Sequence, residues 1–247
     1  MESQVSKINT TEENNLKIVS KAAKVKERSS RAYSVKQVIN KKRKVFEFEG
    51  EFLESFGKPE QNAVWFIWGQ SGNGKTRFLL QVCKYLASFG KVDYNSLEEG
   101  ACESIAKALR ETNMEEVEGK FRLLDVMPFP EFVIRLSGKK QADFGVIDSV
   151  QYAGFDYDEY KETKEKLKKK SLLFISHATG NNPKGNTADA IRYDSSIKVH
   201  VVGYVAKVVS RYGGNKPFII WEEGAKRYWG KRYTAVKEGR YWPGQKK

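Results

Sequence analysis

Residues 63–80 read AVWFIWGQSGNGKTRFLL, an apolar run, then glycines around a lysine, then a run suited to a helix. Within it, Gly69-Gln70-Ser71-Gly72-Asn73-Gly74-Lys75-Thr76 meets the phosphate-cradling pattern G-x-x-x-x-G-K-[ST] at every position. A compact triphosphate has to be wrapped by backbone N–H groups, which demands unusual dihedrals and no bulk beside the anion. Gly69, Gly72 and Gly74 meet both demands. Lys75 adds a cation able to reach β- and γ-phosphates, and Thr76 offers a hydroxyl to magnesium at a helix N-terminus that already favours anions. With Gln70, Ser71, Asn73 and Arg77, these residues make the expected cradle for ATP and Mg2+. The flanks agree with the motif, since Ala63–Trp68 reads as a buried strand and Arg77–Ser88 as an amphipathic helix.

Working outward, Val45–Phe52 alternates apolar and charged residues and predicts a strand covering one edge of the core. Downstream, Val92–Leu97, Phe121–Asp125, Phe144–Asp148 and Ser171–Ser176 predict further strands. Helical patterns over Ala101–Thr112, Pro130–Ser137 and Tyr157–Lys170 fall between them. The lysine-rich end of the last of these reads as a solvated helix face. Such alternation implies an α/β fold with a mostly parallel sheet, helices on both faces and active groups at the carboxyl ends of the strands. Gly180–Asp189 reads as a long polar loop. Ile197–Val209 and Lys216–Trp221 read as a C-terminal antiparallel extension joined through Arg211–Asn215.

The 247-residue chain has a formal net charge of +13. Residues 1–44 hold 12 Lys/Arg against 4 Asp/Glu, residues 224–247 hold 8 against 1, and the middle is near neutral at 24 against 26. This places two basic arms on a core of residues 45–223 and points to a polyanionic partner, nucleic acid first. In the C-terminal arm, Lys226–Tyr233 and Arg240–Trp242 interleave cations with aromatics. Tyr228, Trp229 and Trp242 suit base stacking, and Tyr228 and Trp229 equally suit packing onto the core as a final hairpin; the sequence leaves both open. Cys83, Cys102, His177 and His200 lack disulfide or metal-ligand spacing. With no signal-like apolar segment and no membrane-length run, a cytoplasmic protein without a membrane partner is expected.

A P-loop binds; hydrolysis also needs a magnesium-side acid, a group that positions water and positive charge for the transition state. Asp148 ends an apolar strand and is the candidate second magnesium ligand beside Thr76. Glu98 and Glu99 follow the strand after the P-loop helix, and Glu98 is the candidate for orienting water. Acidic residues in a first helical turn also serve the helix dipole, which is the plainer reading of this pair.

Taken in order, the P-loop, Ser96-Leu97-Glu98-Glu99, Val146-Ile147-Asp148-Ser149, Ile175-Ser176-His177 and Ser210-Arg211-Tyr212-Gly213 resemble the RecA-like ATPase superfamily of recombinases and replicative hexameric helicases. The resemblance implies that Glu98 is the catalytic glutamate and Asp148 the magnesium-associated aspartate. It implies that His177 is a polar sensor, where helicases of this type usually carry glutamine. It places a DNA-contacting loop at residues 180–189. Arg211 would reach the nucleotide of a neighbouring subunit, although the lysine usual two residues earlier is Val209. The expected protein is thus a homo-oligomeric, Mg-dependent RecA-like P-loop ATPase, with ATP at subunit interfaces, acting on single-stranded or duplex DNA in recombination, replication or a mobile-element process. The alternative is an ATP-dependent switch or helicase loader that binds protein partners.

Overall fold

The P-loop strand β1 (Val64–Gly69) is buried along its whole length because both faces of the sheet are covered. Side chains alternate across a strand, so Val64, Phe66 and Trp68 join Phe132, Leu136, Tyr160 and Ile191 on one face. Trp65 and Ile67 join Phe78, Leu79 and Val82 on the other. A computed structural model describes residues 32–244, and the chain divides into two units, Met1–Lys42 and Arg43–Lys247. Most of the N-terminal basic arm, residues 1–31, and the last residues, 245–247, lie outside the described part. In the first unit, helix α1 (Val35–Ile39) is started by a reciprocal Ser34–Gln37 capping box.

In the second unit, helix α2 (Gly50–Phe56) precedes β1, and helix α3 (Lys75–Leu86) follows the P-loop. Then come β2 (Val92–Ser96), α4 (Glu103–Glu111), β3 (Phe121–Asp125), α5 (Phe129–Ser137), β4 (Phe144–Asp148), α6 (Val150–Ala153), α7 (Tyr157–Lys166) and β5 (Ser171–Thr179). The chain closes with β6 (Asn182–Pro183), α8 (Asn186–Asp194), β7 (Ile197–Val202), β8 (Val205–Ser210), β9 (Phe218–Ile219), α9 (Glu222–Trp229) and α10 (Tyr233–Lys237). The sheet order is β3-β2-β4-β5-β1-β7-β8-β9, with β6 on β5. Pairs from β3 through β7 are parallel, while β8 and β9 add the antiparallel extension.

Four expectations are corrected. Val45–Phe52 forms no sheet strand: Phe46 and Phe48 are buried as alternation requires, but the segment pairs only through a Val45–Glu60 bridge before Gly50 opens α2. The run 197–209 contains a tight turn at Gly203-Tyr204, both at positive φ, which folds it into the β7–β8 hairpin. The loop 180–189 is largely ordered. A two-residue turn with Gly180 at φ 61 pairs β6 back onto β5, and α8 begins at Asn186. The C-terminal arm forms helices rather than a hairpin. Trp229, Val236 and Trp242 are buried in a cluster with Val205, so neither tryptophan is free to stack on bases, whereas Tyr228 is exposed.

The last of these contacts sets an acid limit on stability. Trp242 Nε1 donates to His200 Nδ1 at 3.0 Å, and the His200 ring stacks on Trp68 at 4.9 Å. Burial, reinforced by Lys207 and Arg192, pushes the His200 imidazole down to about 4. Its unfolded value is about 6.5, so the neutral ring contributes stability above that pH, and the contribution is lost as pH falls toward 4. The difference corresponds to about 3 kcal/mol. Between pH 7 and pH 4 the wild type, measured by urea denaturation, should lose more stability than His200→Gln by about that amount.

Candidate nucleotide-binding site

The parallel register lines up the carboxyl ends of β1, β5, β4 and β2, and the P-loop leaves the sheet between β5 and β7. There is no room for a side chain where it departs. A Cβ on Gly69 would run into the Val201 carbonyl of β7, and one on Gly74 would come 2.8 Å from the Tyr204 ring. Gly72 and Gly74 hold φ at 75° and 95°, dihedrals that glycine adopts without penalty. Asn73 fastens the loop to the β7–β8 turn, its Oδ1 accepting from Gly203 N at 2.7 Å and its carbonyl from Tyr204 N at 3.1 Å. A backbone cradle opening onto the N-terminus of α3 fits a polyphosphate.

The cradle forms one side of a cavity of about 300 Å3 that Lys75, Thr76, Arg77, Ser96, Glu98, Glu99, Asp148 and His177 also line. Lys75 Nζ donates to the Gln70 carbonyl at 3.0 Å. Burial lowers its pKa, against the opposing pull of Asp148, Glu98 and Glu99. Asp148 lies on the same face of β4 as Phe144 and Val146, and burial pushes its carboxyl up to about 6. The Tyr94 hydroxyl donates to Asp148 Oδ2 and works against that rise, as does Lys75, while Glu98 and Glu99 add to it. Among the described residues no group of three His, Cys, Asp or Glu could cage a metal. Thr76 with Asp148 instead suits Mg2+, which keeps waters and shares its remaining positions with substrate phosphates.

The two glutamates part company. Glu98 Oε2 lies 2.8 Å from His177 Nε2 on the cavity wall. Glu99 Oε2 instead accepts from Ser104 Oγ at 2.5 Å, just before and within the start of α4, where Glu103 is the acidic residue of the first turn. His177 is held in turn by Gln151, whose Oε1 accepts from His177 N at 3.1 Å while its Nε2 donates to Ser176 Oγ and to the Lys184 carbonyl. The ring that touches Glu98 is therefore tied to the β5–β6 hairpin.

Arg211 is not part of this assembly. Its N–H bonds to the Ser196 carbonyl, and Ser196 N bonds to Val64 O, so it lies at the amino end of β1. The P-loop starts at the other end, about 17 Å away along six residues of strand.

A scan against protein-family models and a search of curated proteins return no match. Among solved structures, the chain is similar to the flagellar accessory protein FlaH from Methanocaldococcus jannaschii. The match covers 72% of this chain and 94% of that one, with 14% identity and a TM-score of 0.52. The fold is RecA-like. At that identity the likeness speaks for architecture alone, and chemistry has to be argued from the side chains.

Sequence reasoning missed Tyr94, Gln151 and the Gly203-Tyr204 turn. Each acts through a partner far along the chain, and only the pairing register, with Tyr94 beside Val146 and Ser96 beside Asp148, brings the first into view. Because the Asp148 carboxyl titrates near 6 when folded and at about 4 when unfolded, its charge opposes folding above that range. Asp148→Asn should therefore stabilise the protein at pH 7 by about 1–3 kcal/mol, allowing for residual exposure. The gain should shrink as pH falls through 6 toward 4, a trend that denaturation curves at the two ends would reveal.

Proposed function

We propose that this protein is a Mg-dependent ATPase of the RecA-like type that acts on DNA as a homo-oligomer. The single observation that carries the hydrolase half is the convergence of Lys75, Thr76, Asp148 and Glu98 on one cavity at the mouth of the P-loop. In this reading Lys75 leaves the Gln70 carbonyl to neutralise charge on the β- and γ-phosphates, and Thr76 and Asp148 hold magnesium. Bound magnesium neutralises phosphate charge and helps fix its orientation. Glu98 takes the proton of the attacking water, and His177 orients that carboxylate and links it to the β5–β6 hairpin. Arg211, remote from the P-loop of its own chain, serves the site of a neighbouring copy.

Hydrolysis should vanish and ATP binding weaken in Lys75→Ala, because this is the fixed cation aimed at the phosphates; unchanged turnover would end the proposal. Glu98→Gln should bind ATP and lose hydrolysis, since only proton transfer from water is touched. Glu99→Gln should keep both activities, because its carboxylate is engaged by the Ser104 hydroxyl while His177 orients Glu98. The comparison needs only ATP-binding isotherms and phosphate release.

The DNA half is supported by the charge excess in the arms, 12 Lys/Arg against 4 Asp/Glu over residues 1–44 and 8 against 1 over residues 224–247. If the arms neutralise phosphates, affinity should fall steeply with salt, and deleting residues 1–44 should flatten the log–log slope. Tyr228→Ala should lower affinity with the slope nearly unchanged, because stacking is little screened. One observation favours the protein-partner reading as the alternative: Trp229 and Trp242, two of the three aromatics suited to bases, are buried. Absence of DNA binding at low salt with ATP present, together with no stimulation of ATPase by single-stranded or duplex DNA, would promote that alternative.

A further inference from the structure

The carboxylates fix the direction in which a nucleoside triphosphate must lie. Glu98 and Asp148 come from β2 and β4, on one side of β1, and mark the γ-phosphate end of the cavity. The base must leave on the other side, where Arg77 and Tyr204 line the wall. Behind that wall stands Trp221. The Arg77 guanidinium lies 5.3 Å from its ring centroid, the Arg227 guanidinium 4.8 Å from the same ring, and Tyr204 meets it edge-on at 5.2 Å. Trp221 is seated on Gly224, its ring so close that a Cβ there would collide with it. Tyr204 in turn rests on Gly74 of the P-loop, so the cluster is held in fixed relation to the phosphate cradle.

From this arrangement, and resting on the nucleotide-binding reading above, we infer that Arg77 backed by Trp221 is the platform on which the base of the nucleotide stacks, with purines preferred. A guanidinium is planar and stacks on bases as it does on aromatic rings, and a flat, immobilised ring behind it removes much of the ordering cost of that stack. Arg77 has one further tie, to Glu111 at 3.8 Å, which restrains the same side chain from α4. Two guanidinium groups on one indole, beside a cradle for a polyanion, also bring positive charge to the entrance. Area, not edge hydrogen bonding, is what the platform reads. Purines therefore gain more than pyrimidines, and inorganic tripolyphosphate gains nothing.

The test is calorimetric titration of the full chain with Mg-ATP, Mg-CTP and Mg-tripolyphosphate. The wild-type protein should bind ATP more tightly than CTP and CTP more tightly than tripolyphosphate. Trp221→Leu should weaken ATP by roughly two- to fivefold, the range that loss of one guanidinium–indole contact produces, and leave tripolyphosphate unchanged. Trp221→Phe should recover most of the loss. An unchanged ratio of ATP to tripolyphosphate affinity in Trp221→Leu overturns the inference while leaving the P-loop reading intact. Failure of the wild-type protein to bind tripolyphosphate or ATP overturns that reading itself. Should Trp221→Leu lose all ligands together, Arg77→Ala decides: selective loss of ATP supports the platform, and equal loss of both ligands assigns Arg77 to phosphate and overturns it.

Discussion

A carboxylate that the fold withdraws from water at the end of β4 is the constraint around which this molecule is arranged. Burial raises Asp148 to about 6, and two polar groups oppose that rise, the Tyr94 hydroxyl by a hydrogen bond and the Lys75 ammonium by its charge. Tyr94 is fully buried, and burial with the Asp148 charge drives its own ionisation far upward. It therefore remains a hydrogen-bond donor across the whole physiological range. The pair Lys75 and Asp148 shows the mutual logic of such a site: each is disfavoured as an ion by burial, and each makes the other's charge more tolerable. An anion and a divalent cation arriving together would add one partner to each. Stability given up at these positions is the ordinary signature of a site built to bind rather than to fold.

The second organising feature is the contact between the P-loop and the β7–β8 turn. Asn73 bonds to both residues of the turn, Gly74 is overlain by Tyr204, and the Gly203 carbonyl accepts from Trp229 Nε1 at 3.0 Å. Phosphate cradle, hairpin turn and C-terminal helices thus form one mechanical unit. Both turn residues hold positive φ, which is easy for Gly203 and costly for Tyr204. At that dihedral the Tyr204 ring covers Gly74 and meets Trp221 edge-on.

The sequence made the parallel core legible because β1, β4 and β5 are buried on both faces and read as unbroken apolar runs, and because the P-loop tolerates so few residue types. Asp148 and Glu98 were legible for a related reason, as carboxylates ending strands beside that loop. Illegible were features decided by distant partners. Val45–Phe52 alternates like a strand since Phe46 and Phe48 do face the core, yet its neighbour is side-chain packing and not a sheet edge. The turn at Gly203-Tyr204 was hidden inside a run of valines, with a tyrosine where glycine or asparagine would announce a hairpin. At residues 180–189 polarity suggested an open loop, but Trp68 Nε1 donating to the Asn181 carbonyl at 2.9 Å and the β6 pairing hold it down.

The C-terminal arm shows why composition alone could not separate binding surface from structure. Lys226–Tyr233 has the mixture of cations and aromatics that suits nucleic acid, and the same mixture suits a cap whose rings point inward while its ammonium and guanidinium groups stay in water. Helical periodicity decides between them: Ala225 and Trp229, four residues apart, are buried against Val205, and Tyr228 is turned outward. The charge therefore remains on the surface while most of the aromatic area is committed to the core. Any polyanion meeting this arm would find cations with one exposed ring among the helical residues. Binding there would rest on phosphate neutralisation far more than on reading bases, and a surface of that kind holds nucleic acid without selecting its sequence.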